Sequence, residues 1–267
     1  TSPEYAMKRL LAEGFERIFQ LCKVFRNGEI AAQHNPEFTM LEFYRAHASY
    51  EAIMADLEAL LRAGAAAVSG RDTLVVRGHT VRLDRCERLT VREAMRSRTG
   101  VDIAAFPDAP SLRAAFESRG YRFGGERSWD DLFFQVFLEA VEPTLGLERP
   151  TFLTEYPARM ASLARLKPAD PSVAERFELY VAGVELANGF SELTDAVEQR
   201  RRLVEEQQLR AREGKPVYPL DERFIEAVGR MPPSAGVAVG LDRLLMLMLG
   251  AGHIDEVLLF PARGFFS

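Results

Sequence analysis

The segment from residue 38 to residue 44 has the period-two pattern of a β-strand and carries aromatic and acidic side chains. Four residues spaced two apart would share one face of a β-strand: Phe38, Met40, Glu42 and Tyr44. A flat ring, a carboxylate and a phenol on one face can sandwich a heterocycle and bind a cation. A half-buried strand with ordinary surface charges would show the same alternation. Both interpretations are open from this segment alone.

Two positive groups lie on the loop that precedes this strand. Arg26 comes just before the turn signal Asn27-Gly28, and His34 comes near the far end of the loop. Both groups suit phosphate oxygens. Residues 19–25 also alternate, so we predict a strand, loop, strand hairpin with its loop near a bound anion.

Two glutamates flank a predicted turn at residues 182–183. If the chain turns there, Glu178 and Glu185 come roughly opposite each other, and like charges so placed destabilise a hairpin unless a cation lies between them. Carboxylates together with substrate phosphates are the ligands that Mg²⁺ prefers. Asn188 and Glu192 flank a glycine that allows another group to approach the backbone. Solvated surface acids in a slightly different register are the alternative.

An arginine lies where an apolar strand gives way to an apolar helix. Arg243 follows the strand 236–240 and falls in the first turn of the helix, where its charge opposes the helix dipole. This placement costs a few tenths of a kcal/mol to about 1 kcal/mol unless an anion compensates. Asp242 beside it, or an anionic ligand, could do so.

Composition excludes several classes of protein. The 267 residues are 47% hydrophobic and 27% charged, which is typical of a folded globular chain and not of a disordered or collagen-like one. The 34 basic and 39 acidic residues give a net charge of −5, which weakens the case for a nucleic-acid partner. Two cysteines cannot form a disulfide framework. With no signal pattern and no membrane span, we expect a soluble, cytoplasmic protein.

Periodicity predicts an α+β fold with a mainly antiparallel sheet flanked by helices. The predicted strands are 19–25, 38–44, 73–77, 80–83, 152–156, 177–181, 184–190 and 236–240. Helices are predicted from residue 4 to residue 14, over 50–68, from a capping box at Thr90, and over 111–119, 129–141, 194–213, 221–230 and 244–249. We expect one domain over 1–267, with a less distinctive helical insertion at about 72–170.

Together these segments resemble the class II aminoacyl-tRNA synthetases, most closely the lysine-specific branch. Residues 25–44 look like motif 2 of that family, and residues 236–243 look like motif 3. Residues 177–192 look like the intervening substrate and magnesium segment. Within the branch, the chain is most similar to the lysyl-tRNA synthetase paralogues that modify elongation factor P. Ser2 and Ala238 follow those paralogues, where true synthetases usually carry Ala and Gly.

The resemblance implies an ATP site on the motif 2 and motif 3 segments. Arg26 and Arg243 would be the catalytic residues, with Arg26 on the α-phosphate and the substrate carboxylate. His34 and Arg243 would lie at the outer phosphates, and Phe38 would stack on adenine. The family's motif 2 carries Glu where this chain has Gly28, so Glu29 would take over its contact with adenine, or that contact is lost.

The resemblance also implies a site for lysine or (R)-β-lysine, which would be activated as an aminoacyl-adenylate and joined to a lysine of elongation factor P. Its residues are Glu4 and Asn188 at the backbone end, Glu42, Tyr44 and Glu192 at the side-chain ammonium, Ser2 and Ala238 nearby, and Glu178 and Glu185 for Mg²⁺. In-line attack on the α-phosphorus would need electrostatic positioning and no protein nucleophile.

Two other functions fit the same residues. The chain could be the catalytic part of a lysyl-tRNA synthetase, against which stand Ser2, Ala238 and the lack of room for an anticodon-binding domain. It could also be a non-catalytic regulatory subunit, which Gly28 favours and the retained charged residues oppose. The paralogue resemblance implies that no tRNA is charged. Motif 1, the family's dimer element, is expected before Thr1, so a homodimer is expected from the resemblance.

Overall fold

A computed structural model describes residues 2–266, with side chains through residue 264. Thr1 and Ser267, the ends of the predicted domain, lie outside the described residues. The strands are β1 (Arg17–Phe25), β2 (Glu37–Ala46), β3 (Thr73–Val76), β4 (His79–Arg82), β5 (Glu87–Thr90), β6 (Thr151–Pro157), β7 (Leu166–Lys167), β8 (Asp170–Val181), β9 (Val184–Ser191) and β10 (Ser234–Gly240).

The helices surround one large sheet. They are α1 (Glu4–Ala12), α2 (Tyr50–Ser69), α3 (Val91–Thr99), α4 (Ala109–Glu117), α5 (Trp129–Val136), α6 (Ala196–Arg212), α7 (Glu222–Val228), α8 (Leu241–Met248) and α9 (Arg263–Phe266). A π-helical segment, Phe137–Val141, continues α5. The predicted capping box of α3 is confirmed, because Thr90 and Glu93 bond reciprocally. Within the described residues, no helix combines the length and apolarity required to cross a bilayer.

The sheet order is β1-β2-β10-β9-β8-β6-β5, with β7 paired to β8. All pairs are antiparallel except β5 with β6. The α+β prediction and the mainly antiparallel sheet are therefore confirmed. The strand β5 was not predicted, because four residues with two charges carry too weak an alternation.

Each face of the sheet has a different cover. Odd-numbered residues of β2 and β10, such as Leu41 and Val239, pack against α2 and α8 in the main core. On the other face, α3 and α5 cover β6 and β8 with a second core that includes Phe133 and Leu153. Helix α1 packs Met7 on Tyr44 at the far end of that face. The middle of this second face, formed by β2, β10 and β9, lies between these two groups of helices and is open.

The segment at about 72–170, predicted as a helical insertion, is mixed in structure. It contains the separate hairpin β3–β4 and the helices α3, α4 and α5. It also supplies β5 and β6 to the main sheet. Phe152 of β6 packs edge-on against Phe177 of β8, which anchors this segment in the main core.

Candidate active site

The predicted residues of the three segments converge on the open face of the sheet. One cavity is lined by groups from β1–β2, β9 and β10–α8, including Arg26, Phe38, Asn188, Ala238 and Arg243. The register explains this convergence, because Ala238 pairs with Glu42 on one side and with Asn188 on the other. Their side chains point to the same face.

A second cavity, of about 440 Å³, lies between α3, α5 and β6. It contains none of the predicted site residues. Arg159 lies over the Trp129 ring at its edge, 4.6 Å from the ring centroid, and is also paired with Asp130. Because this cation already has an acidic partner, we assign no function to the second cavity.

The loop between β1 and β2 holds a cluster of charged groups around Gly28. Arg26 Nη1 lies 3.3 Å from Glu29 Oε2, and its guanidinium lies 5.8 Å from the centre of the Phe38 ring. His34 Nε2 lies 3.9 Å from the same Glu29 oxygen, and burial lowers the pKa of His34, with Arg243 adding to the effect. Glu29 therefore lies beside two of the three groups that the resemblance assigns to phosphates, Arg26 and His34.

Gly28 has a conformational reason for its identity. Its φ is +79°, in the region that residues with a Cβ disfavour. The glycine makes the tight turn that places Glu29 beside Arg26. The departure from the family's motif 2 is thus accompanied by a carboxylate one residue later on the same loop.

Arg243 has no carboxylate partner within the residues that the structure describes. Its Nε donates to the Gln33 carbonyl at 3.1 Å and its Nη1 to the Glu185 carbonyl at 2.9 Å. Asp242, the neighbour that could have compensated its charge, instead accepts the Thr39 backbone N–H at 2.6 Å. The guanidinium is therefore fixed by carbonyls and keeps its positive charge available to an anion.

The predicted pairing of Glu178 with Glu185 is wrong in register. The chain does turn at residues 182–183, but Glu178 pairs with Asn188, and Glu185 pairs with Tyr180. A two-residue turn places residue 185 opposite residue 180, and a bulge beside Leu179 then shifts the ladder by one residue. The bulge nevertheless turns Glu185 and Asn188, three residues apart, to the same face.

Glu178 is buried and fully bonded. Oε1 accepts from Arg176 at 2.8 Å and from Asn188 at 3.2 Å, and Oε2 accepts from Tyr180 at 2.6 Å and from Tyr156. The sequence did not single out Arg176 or the two tyrosines. Period-two spacing from Glu178 along β8 was the signal that could have identified Arg176 and Tyr180.

Glu185 differs from Glu178 in its hydrogen bonding. Among the described residues, no hydrogen-bond donor or cation bonds its carboxylate, and burial raises its pKa to about 7, with the nearby Glu178 charge adding to the rise. A desolvated carboxylate without a partner fits a divalent cation. No group of three or more acidic, His or Cys side chains suited to a metal occurs among residues 2–266. The remaining ligands would have to come from phosphates or water.

Three carboxylates lie close together at the α1 end of the site, and we call Glu4, Glu42 and Glu192 the acidic cluster. Burial raises the pKa of Glu42 to about 7 and that of Glu192 to about 8, and each also feels the charge of Glu4. Glu42 Oε2 and Glu192 Oε1 are buried and lack hydrogen-bond donors among the described residues. Such orphaned acceptors fit an ammonium group.

The remaining predicted residues adjoin this cluster. Ser2 lowers the pKa of Glu42, against the larger effect of burial. Tyr44 is buried, and its pKa is raised by burial and by the acidic cluster. Asn188 Oδ1 is buried without a donor, so it too can accept from a ligand. A residue that the sequence did not single out, Lys8, lies among the carboxylates with its Nζ 2.7 Å from Glu4 Oε1.

The Tyr44 ring packs directly against Gly236 of the neighbouring strand β10, where a side chain would collide with it. A Cβ on Gly236 would lie 2.2 Å from Cδ1 of the Tyr44 ring. Gly236→Ala should lower the free energy of unfolding by about 1–3 kcal/mol through overpacking, measured by urea denaturation. Gly124→Ala, where a Cβ meets nothing within 4 Å, is the control and should change it by less than about 0.5 kcal/mol. Equal effects would contradict this packing.

The chain is similar to one family of proteins and to several named enzymes. The family described as tRNA synthetases class II (D, K and N) matches residues 1–264. The elongation factor P–(R)-β-lysine ligase of Edwardsiella ictaluri is 43% identical over 263 residues, covering 97% of this chain and 76% of the relative. The ligase of the same name from Histophilus somni is 41% identical over 262 residues, with the same coverage.

A lysine–tRNA ligase of Dehalococcoides mccartyi is 41% identical over 265 residues, which is 97% of this chain and 52% of the relative. The chain thus spans about half the length of that enzyme. The family match includes both the β1–β2 loop and the β10–α8 junction, where the predicted ATP-site residues lie. With identity above 40% to ligases over nearly its whole length, the chain belongs to the class II tRNA synthetases of the D, K and N group and is an ATP-dependent ligase.

Proposed function

We propose that this enzyme activates (R)-β-lysine or lysine with ATP as an aminoacyl-adenylate and transfers it to a lysine side chain of elongation factor P. The acidic cluster is the observation that supports lysine or (R)-β-lysine as the amino acid. Its buried carboxylate oxygens lack hydrogen-bond donors among the described residues, and such oxygens fit an ammonium group. The names of the relatives from Edwardsiella ictaluri and Histophilus somni support the acceptor. A translation factor as acceptor implies a cytoplasmic enzyme.

In the activation step, the amino-acid carboxylate attacks the α-phosphorus of ATP. A carboxylate oxygen–phosphorus bond forms as the bond to pyrophosphate breaks, and the electron pair leaves with pyrophosphate. Arg26 binds the α-phosphate and the attacking carboxylate, so that the reactants are held in line. Arg243 and His34 receive the outer phosphates, and Phe38 stacks on adenine, with Glu29 beside Arg26.

Mg²⁺ would neutralise charge on the phosphates when bound. Glu185 is the carboxylate best placed to hold it, because its oxygens lack bonded partners. Glu178 contributes negative charge close by and fixes Asn188, since both its oxygens already accept two hydrogen bonds. It would coordinate the ion directly only after one of these four donors moves away.

The amino acid would lie along β9 and β2. Glu4 and Asn188 orient the amino group near the carboxylate end, and Glu42, Tyr44 and Glu192 receive the side-chain ammonium. Ala238 lies between Glu42 and Asn188 in the register, so its methyl group narrows the space between the two ends of the substrate.

The raised pKa values in this pocket predict a pH dependence. Glu42 and Glu192, with pKa values of about 7 and about 8, must lose protons before they can pair with an ammonium group. The KM for the amino acid should therefore fall at least about tenfold between about pH 6 and about pH 8.5. Amino-acid-dependent ATP–pyrophosphate exchange across this range measures it. A KM independent of pH would show that neither carboxylate binds the ammonium.

The acceptor is tested by label transfer. Radiolabelled β-lysine or lysine, ATP and the enzyme are incubated with elongation factor P or with tRNA. We expect label on the protein and none on the tRNA. Label on tRNA alone would establish the second candidate, a lysyl-tRNA synthetase, which the Dehalococcoides mccartyi relative favours.

We also propose a homodimer. Phe19 and Leu21 of the edge strand β1 are 72% and 55% exposed, on the same sheet face that α2 and α8 cover further along. An apolar edge strand of this kind marks an interface. A second copy of the chain is the proposed partner because the resemblance implies a homodimer.

A further inference from the structure

A lysine of the chain itself lies within the proposed amino-acid pocket. Lys8 is 1% exposed, and its Nζ lies 2.7 Å from Glu4 Oε1 and 2.6 Å from Glu192 Oε2. It also lies 4.9 Å from the centre of the Phe190 ring. Buried lysines are rare unless paired, and this one is paired with two residues that the proposed function gives to the substrate.

We propose that Lys8 is a positioning and specificity residue of this pocket: a resident ammonium that holds the carboxylates of Glu4 and Glu192 in place, and that limits the pocket to a substrate with two amino groups. This inference rests on the proposed function.

The charges of the pocket support the inference. The acidic cluster has three carboxylates, and Lys8 supplies one positive charge to them. Lysine and β-lysine each bring two ammonium groups, so three positive charges would meet three negative ones. Lys8 uses one oxygen of Glu4 and one of Glu192, which leaves Glu42 Oε2 and Glu192 Oε1 for the substrate.

Few titratable groups lie close to the acidic cluster. From α1 come Glu4, Tyr5 and Lys8, from β2 come Glu42 and Tyr44, and from the end of β9 comes Glu192. Strand β10, which lies between β2 and β9, has no titratable side chain. Lys8 is thus the one cation facing these carboxylates among the described residues, and it lowers the pKa values of Glu42 and Glu192, which burial raises.

Lys8→Met removes the charge and keeps most of the apolar volume. At pH 7 the KM for the amino acid should rise at least about tenfold, because one pKa unit of further rise at Glu192 reduces its ionised fraction about tenfold. The kcat should stay within about twofold, since the ammonium contact is alike in ground and transition states. Raising the pH should restore the KM. Arg9→Met, which removes an ion pair to Asp221 from the same helix, is the matched control and should leave the KM unchanged.

Carbon-13 NMR titration of the Glu192 carboxyl separates this inference from the proposed function, because it needs no activity. In Lys8→Met the carboxyl should titrate at higher pH than in the unaltered chain, and in Lys8→Arg, which keeps the charge, it should not. Unchanged titration and KM in Lys8→Met would overturn the role of Lys8. If Lys8→Met does not fold, an upward shift in Lys8→Arg would overturn it. Absent exchange in the unaltered enzyme would overturn the proposed function alone.

Discussion

Arg243→Ala should reduce amino-acid-dependent ATP–pyrophosphate exchange by about a thousandfold or more while the fold is kept. The guanidinium is fixed by two backbone carbonyls and has no carboxylate partner in the described part of the chain, so its charge is available to phosphates. An arginine that stabilises charge in phosphoryl transfer contributes on this scale. Exchange at saturating ATP and amino acid measures the loss.

The control for this variant is Arg201→Ala. Arg201 is half exposed on α6 and forms ion pairs with Glu198 and Glu205. It should keep full exchange, and both variants should show the thermal unfolding of the unaltered chain within a few degrees. Near-normal exchange in Arg243→Ala would mean that the β10–α8 junction does not bind phosphates.

Glu192→Gln should raise the KM for the amino acid about a hundredfold at about pH 8.5, where the carboxylate is ionised. The carboxylate is buried, and its Oε1 lacks a donor, so loss of its charge removes one partner of a buried ion pair with the substrate. Such a loss costs about 3 kcal/mol. Steady-state exchange kinetics measure the KM.

Glu175→Gln is the matched variant for this test. Glu175 is also buried and pairs with Arg165, 2.5 Å away, outside the proposed pocket. It should lower stability without changing the KM for the amino acid. Similar KM values in Glu175→Gln and Glu192→Gln would contradict the placement of the ammonium.

Much of the fold could be predicted because its patterns are local. The alternation of β1 and β2 and the capping box at Thr90 each depend on a few neighbouring residues, and each is confirmed. The edge strand β5 was missed because it is held by its partner β6 and not by its own pattern.

The residues of the site could be predicted from the sequence, but their contacts with one another could be predicted less well. The spacing along β2 placed Phe38, Met40 and Glu42 on one face. Phe38 and Met40 line the cavity, and Glu42 pairs with Ala238, which lines it too. The bulge beside Leu179 could not be read from residue types, and it decides which side chains face Glu178. The roles in catalysis stay predictions.

The contacts of Lys8 could also be predicted only in part from the sequence. Its spacing of four residues from Glu4 on a helix was visible in the sequence, and an ion pair between them could be expected. Its contact with Glu192 joins residues far apart in the chain and depends on how α1 packs over β2. Only tertiary structure makes an ordinary helical ion pair part of a ligand pocket.

Amino-acid-dependent ATP–pyrophosphate exchange, run with (R)-β-lysine and with lysine, is the experiment that tests the proposed activation of the amino acid. It reports reversible activation of the amino acid without the acceptor, and therefore examines the two arginines and the acidic cluster together. We predict exchange with at least one of the two amino acids and none with norleucine, which lacks the side-chain ammonium. Exchange with neither, or equal exchange with norleucine, would overturn the proposed function.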